Sequence, residues 1–335
     1  MALRPTALHE QLFQSMAPAL RWNGTEDVAA WQSRVRDALR QLLGWPLMRT
    51  EADLRIEWER DFDENTRELR LLFASEPGVD VCCHLLLPKG KQKVPLIICL
   101  QGHSTGMHIS LGRPKFEGDE QSIAGGDRDF ARQIAARGQA ALVIEQRCFG
   151  ERGGKPEPDC YQASMQALLL GRTMIGERCW DISRAIDAVL AHFGEIDPER
   201  IAVMGNSGGG TASLYAAALD ERIAAVMPSC AFCGYWASIG AQYHCSCNYV
   251  PGIAAQLDMG DLGGLIAPRP LVIVSGAKDP IFPLDSAREQ AAVTRKLYKA
   301  AGAEHLFRHV IGPEGHRFYA ALGWQAFDEV TGWHE

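Results

Sequence analysis

Ser207 stands in Gly205-Asn206-Ser207-Gly208-Gly209, a G-x-S-x-G pattern inside RIAVMGNSGGGTASLYAAAL. A serine that attacks an acyl carbon must be held out on a sharp strand-to-helix turn. Glycines two residues to either side, Gly205 and Gly209, relieve the crowding at such an elbow. The flanks fit: IAVM reads as an apolar strand and TASLYAAAL as a small-residue helix, whose first amides favour developing negative charge. The bare pattern is not decisive, because Gly102-His103-Ser104-Thr105-Gly106 matches it too and follows a strand, PLIICL. What comes after Ser104, MHISLGRPKFEGDE, brings Gly and Pro too early for a long helix. Its strand is also the first of parallel type, with too little sheet before it. Ser207 is therefore preferred as nucleophile and Ser104 rejected. The rejected segment suits another role. An amide from the loop after an early strand, paired with the amide just after the nucleophile, can hold an oxyanion. The backbone N–H groups of His103 and Gly208 would form that pair; the plainer reading is a glycine-containing loop.

A serine nucleophile needs a base and an acid to orient it, each on a loop after a later strand. APRPLVIVSGAKDPIFP gives an apolar strand, LVIV, and then a loop carrying Asp279 stiffened by Pro280 and Pro283. Asp285, the nearest rival, precedes SAREQAAVTRKLY and is explained as a helix cap. For the base, HLFRHVIGPEGHRFY offers His305, His309 and His316. The first two are placed in the last strand, where packing explains a His. His316 follows that strand in a Gly-Pro-Glu-Gly loop, where an imidazole can reach both partners. Glu314 is too near His316 in sequence to be its orienter.

These loops need a scaffold. From Pro95 on, apolar strands (Pro95–Leu100, Ala140–Ile144, Ile201–Met204, Ile223–Met227, Leu271–Val274, His305–Ile311) alternate with helical segments. That rhythm predicts an α/β fold with a mainly parallel, doubly wound sheet and helices on both faces. Leu54 to Leu87 reads instead as antiparallel strands, and Thr6 to Leu43 as two amphipathic helices, the second ending at Gly44. The division expected is a helical extension over 1–50 and one catalytic domain over 51–335. Cap-like insertions are expected near 104–126 and 229–266, where the alternation lapses.

Composition narrows the function classes. The chain has 335 residues, 47% hydrophobic and 22% charged, with a net charge of -7. That is ordinary globular composition, and it argues against a nucleic-acid-binding face. No signal peptide and no bilayer-spanning run is read, so a cytoplasmic protein without membrane contact is expected. Ten cysteines in a chain of this size read as reduced thiols.

With Ser207, Asp279 and His316 placed in that order, the chain resembles the α/β-hydrolase superfamily. The resemblance lies in its branch near dienelactone hydrolases, acetyl xylan esterases and prolyl-oligopeptidase catalytic domains. IDPERIAVMGNSGGG, IAPRPLVIVSGAKDP and GPEGH carry it, over roughly Val79 to the C-terminus. QGHSTG looks like that branch's oxyanion loop. Dienelactone hydrolases use Cys at the elbow, so Ser207 does not imply their lactone hydrolysis. The resemblance implies a serine esterase acting through an acyl-enzyme on small acyl esters, acetylated carbohydrates foremost, with no metal or cofactor. The N-terminal helices look like an extension seen in acetyl xylan esterase-like members.

Two other readings stand beside it. A prolyl-oligopeptidase-like peptidase would need a large preceding domain, which roughly a hundred residues cannot build. A non-catalytic binding protein on the same fold need not keep Ser, Asp and His on the proper loops. Trp236 and Tyr243, with His244 and Tyr249, could form a substrate platform, or could simply pack the insertion. Arg147 and Glu151 are read as a loop ion pair. Cys230-x-x-Cys233 with Cys245-x-Cys247 invites zinc, but the irregular spacing favours buried thiols. The partner expected is a small ester, and homo-oligomer formation stays open.

Overall fold

A computed structural model describes residues 4–153 and 157–333. The chain opens with α1 (Pro5–Ser15) and α2 (Val28–Leu43). α2 begins where the Asp27 carboxylate accepts the Ala30 amide, and it stops at Gly44 in the left-handed conformation. Trp31, Val35, Leu39 and Leu43 form its buried stripe, whereas α1 buries no residue.

Nine strands then build one sheet in the order β1-β2-β3-β5-β4-β6-β7-β8-β9. β1 (Arg55–Asp61), β2 (Thr66–Glu76) and β3 (Val79–Pro88) pair antiparallel, and β3 pairs antiparallel with β5. β4 (Val94–Leu100), β5 (Ala140–Ile144), β6 (Ile196–Asn206), β7 (Ala225–Ser229), β8 (Leu271–Gly276) and β9 (Phe307–Gly312) run parallel. The expected strands are all present. One detail differs: His305 lies in a 3-10 turn, Glu304–Leu306, ahead of β9 rather than within it.

Between the strands lie α3 (Phe130–Ala136), α4 (Tyr161–Leu169), α5 (Met174–His192), α6 (Gly208–Leu219), α7 (Ile253–Gln256), α8 (Met259–Ile266), α9 (Leu284–Ala300) and α10 (Ala320–Thr331). Side chains alternate across each strand, so one sheet feeds two cores. Leu96, Ile98, Val203, Leu271 and Ile273 pack under residues of α2, α5, α6, α8 and α9. Their neighbours Ile97, Cys99, Met204, Val272 and Val274 pack under α3 and α10. The segment 229–266 is not loop throughout. α8 is buried on every residue and fixed by a reciprocal capping box between Asp258 and Asp261, and a short helix buried all round shows no amphipathic period. Among the described residues, no helix is long and apolar enough to cross a membrane.

Strand register sets the site. Leu100 lies beside Gly205, Asn206 beside Ser229, Ser229 beside Val274, and Gly276 beside Gly312. The carboxyl ends of β4, β6, β7, β8 and β9 therefore finish in line, and their following loops share one rim. The chain steps from β4 outward to β5 and back past β4 to β6, so the strand order reverses at β4. Ligands of open α/β sheets bind in the crevice that such a reversal opens.

Candidate active site

Ser207 sits between β6 and α6 with φ 55° and ψ -126°, a left-handed backbone that a side chain adopts only at a cost. Its amide donates to Ser229 O at 2.8 Å, tying the turn to β7. The flanking glycines are explained by close approach to β4. A Cβ on Gly205 would lie 2.7 Å from Leu100 O, and one on Gly209 2.6 Å from Gln101 O. Gly208 begins α6, so its amide is among the first-turn N–H groups that the helix itself leaves unbonded.

The loop after β4 closes over this turn. A Cβ on Gly102 would stand 2.7 Å from Asn206 O and 2.8 Å from the Ser207 Cβ, so only glycine allows the loop so near. His103 follows, and a Cβ built on Gly208 would lie 3.9 Å from the His103 amide nitrogen. His103 thus lies directly against the start of α6. Ser104 departs from a nucleophile's setting: its buried hydroxyl has no hydrogen-bond partner, and only a 3-10 turn, Met107–Ile109, follows it.

His316 Nδ1 lies 2.8 Å from Asp279 Oδ2. The other carboxylate oxygen accepts the amides of Ile281 (2.8 Å) and Phe282 (3.1 Å). Burial opposes ionisation of Asp279, but the imidazole and the two amides outweigh it and hold the carboxyl below its usual range. The acid is therefore charged at neutral pH, and it fixes the ring with Nε2 turned away from it. Phe282 stacks on that ring, centroids 6.0 Å apart and planes at 15°. Among the described residues, neither Ser207 Oγ nor His316 Nε2 has a further hydrogen-bond partner, and the two are not bonded to each other. His309 is separate: it bonds Ser275 Oγ at 3.0 Å, and burial pushes its pKa down to about 4, so it stays neutral.

The two aromatics expected to line a pocket are placed differently. Trp236 stacks on Phe13 of α1 at 5.1 Å and walls an apolar cavity of about 510 Å³ between α1 and the insertion. Tyr243 is 98% exposed. Phe282 and His244 stand beside the Asp279–His316 pair: Phe282 stacks on His316, and His244 meets Phe282 edge-on at 5.6 Å and bonds Ser238 and Asn248. Cys230, just after β7, has Sγ within 4.8 Å of the ligand atoms of Asp279 and His316. Of these, the sequence places His244 in a candidate platform and Cys230 in a cysteine group, and nothing in it singles out Phe282. Position after a strand end was the available signal for Cys230 and Phe282.

Arg147 and Glu151 do not pair with each other. Arg147 is held by Asp181, Glu177 and Glu76, and Glu151 binds Arg70 at 2.6 Å. Strand β2 and helix α5 supply these partners, and loop ion pairs cannot be read from neighbours in sequence alone. The grouping of Cys230 and Cys233 with Cys245 and Cys247 is also not what folds together. Cys245 and Cys247 join His103 and Cys160 instead.

A family model for fungal glucuronyl esterases matches residues 171–237, the stretch that holds α5, β6, the Ser207 turn and β7. The Bacillus subtilis protein YtaP, named as a hydrolase, is 28% identical over 257 residues, covering 75% of this chain and 82% of that protein. Among solved structures, a Bacteroides fragilis protein named as an acetyl xylan esterase superposes with a TM-score of 0.78. It has 16% identity, over 98% of this chain and 90% of that one. A glucuronoyl esterase from Solibacter usitatus gives 0.72 with 14% identity, over 95% and 97%. At such identities the likeness establishes the fold, which is that of the α/β-hydrolases.

Proposed function

We propose that this chain is a serine carboxylic-ester hydrolase working through an acyl-enzyme on small acyl esters, with acetylated carbohydrates as the leading class. The observation that carries the reading is the strained Ser207 turn at the rim where the Asp279–His316 pair also ends. The names of the proteins it is similar to, a hydrolase and carbohydrate esterases, support the substrate class.

In this mechanism Ser207 Oγ attacks the ester carbonyl carbon and His316 Nε2 takes its proton. Asp279 stabilises the imidazolium, and the His103 and Gly208 amides receive the developing oxyanion. Collapse expels the alcohol, which collects the proton from His316. Water, deprotonated by the same nitrogen, then attacks the acyl carbon and frees Ser207. The Ser–His hydrogen bond closes when substrate is bound, as such bonds often tighten only in the complex.

The match to the glucuronyl esterase model supports a second ester geometry, in which the sugar carries the acyl carbon rather than the alcohol. Assay of an acetylated xylo-oligosaccharide against an alkyl ester of a uronic acid separates the two by which product is released. Ser207→Ala should lower kcat on either by about 10⁴-fold or more, and Asp279→Asn by a comparable factor, with Tm little changed. Undiminished turnover in Ser207→Ala would sink the hydrolase reading. Ten free cysteines, nine of them buried, support a reducing, cytoplasmic setting.

A further inference from the structure

Three loops bring four soft ligands to one point. His103 comes from the loop after β4, Cys160 from the residue that opens α4, and Cys245 and Cys247 from the insertion between β7 and α7. One ligand atom of each lies within 4.8 Å of all the others, and Cys247 Sγ is 3.3 Å from His103 Nε2. Cys160 is 3% exposed, Cys247 1%, and Cys245 partly shielded. A tetrahedral zinc ion with Zn–S of about 2.3 Å sets its ligands roughly 3.7 Å apart, a spacing that lies between the 3.3 Å of the Cys247–His103 pair and the 4.8 Å limit of the group.

Charge supplies an independent observation. Arg178 is 1% exposed, and among the described residues no carboxylate lies within ion-pair distance of it. Its guanidinium instead donates to the Arg147 carbonyl at 2.8 Å, reaches Cys247 Sγ at 3.3 Å and Cys160 Sγ at 3.4 Å, and lies over the Phe149 ring at 4.3 Å. A buried, unpaired cation is costly. Neutral thiols are weak acceptors and supply no compensating charge, whereas a zinc ion held by three thiolates and one neutral imidazole carries one net negative charge, which Arg178 would neutralise.

We propose that His103, Cys160, Cys245 and Cys247 form a structural zinc site of the Cys3His type that pins the oxyanion loop to the insertion. Zinc enters as the three thiols release their protons to solvent, and His103 binds through Nε2. No position is left for water, so the ion takes no part in ester chemistry. It acts through His103, whose ring spans from the cluster to the elbow. A Cβ on Gly208 would meet His103 Nδ1 at 3.0 Å. The metal thus fixes the residue whose backbone N–H is assigned to the oxyanion.

The test is metal analysis of the full chain purified without chelators or an immobilised-metal column, followed by cobalt exchange. About one zinc per chain is expected, and the cobalt form should show thiolate-to-metal charge transfer with intense tetrahedral visible bands. Cys160→Ser and Cys245→Ser should lose most of the metal, while Cys233→Ser, in the separate buried core, keeps it. Zinc removal should lower Tm and cut kcat more than it changes KM. If a cysteine variant does not fold, the cobalt spectrum of the unmodified chain decides. Three results would each overturn the proposal. One is a chain that retains no zinc through gel filtration after being offered it. Another is a Cys245–Cys247 disulfide in freshly purified protein. The third is loss of metal in Cys230→Ser but not in Cys160→Ser, which would place the ion on Asp279 and His316.

Discussion

Glu145 ends up buried under the loop after β4, where its carboxylate accepts the amides of Met107 at 3.1 Å and Glu151 at 3.3 Å. Burial pushes its pKa up to about 7, and the two amides only partly counter it. An unfolded glutamate titrates near about 4.3. Between those values the folded chain keeps a proton that the unfolded chain has lost. The stabilising contribution is therefore complete below the lower value and disappears as pH rises through the upper one. Glu145→Gln keeps the shape without the titration. The variant's Tm should gain on the unmodified chain between about pH 5 and pH 8, by the equivalent of roughly 3 kcal/mol. Parallel Tm profiles would show that Glu145 does not titrate in this way. Ser207 pays a different cost at the same rim, since its φ of 55° stores on the order of 1–3 kcal/mol.

Loops and strand ends carry the next level. Gly102 lets the loop after β4 lie against the Ser207 turn, so Gly102→Ala should push the His103 amide away while leaving the sheet intact. A loss of about 10- to 100-fold in kcat with a small change in Tm is expected, and full activity would show that the loop relaxes freely. This scale also shows what sequence could and could not reveal. The strands were legible because apolar runs broken by Gly and Pro have few other readings, and Ser207, Asp279 and His316 could be proposed together because each follows such a run. The Phe282 stacking partner and the His244 contact arise from segments that fold back from elsewhere. The His103–Cys160–Cys245–Cys247 group was illegible for the same reason. Only Cys245-x-Cys247 is local, and its neighbours in sequence, Cys230 and Cys233, are drawn to other places by β7 and the core beneath it.

Across the whole molecule, the N-terminal region separates into two parts with different standing. α1 lies on the surface, but α2 inserts Trp31, fully buried, with Nε1 donating to Leu20 O at 2.8 Å. Trp31→Ala should cost about 3–5 kcal/mol, read as a lowered denaturant midpoint. A loss under about 1 kcal/mol would mark α2 as an appendage. The far edge of the sheet is built on the opposite plan. β1, RIEWERD, is exposed at every residue, and its free side presents backbone groups that a strand from another molecule could match. Arg55, Glu57, Glu59, Arg60 and Asp61 give that strand exposed charges of both signs, each ion-paired inward to Asp80, Arg70, Arg67, Glu68 and Lys89, and a bulge between Ile56 and Trp58 breaks its regular spacing. An approaching copy would have to strip water from these groups and fit an irregular ladder. The enzyme can therefore leave one border of its sheet open in a crowded solution without its neighbours stitching onto it.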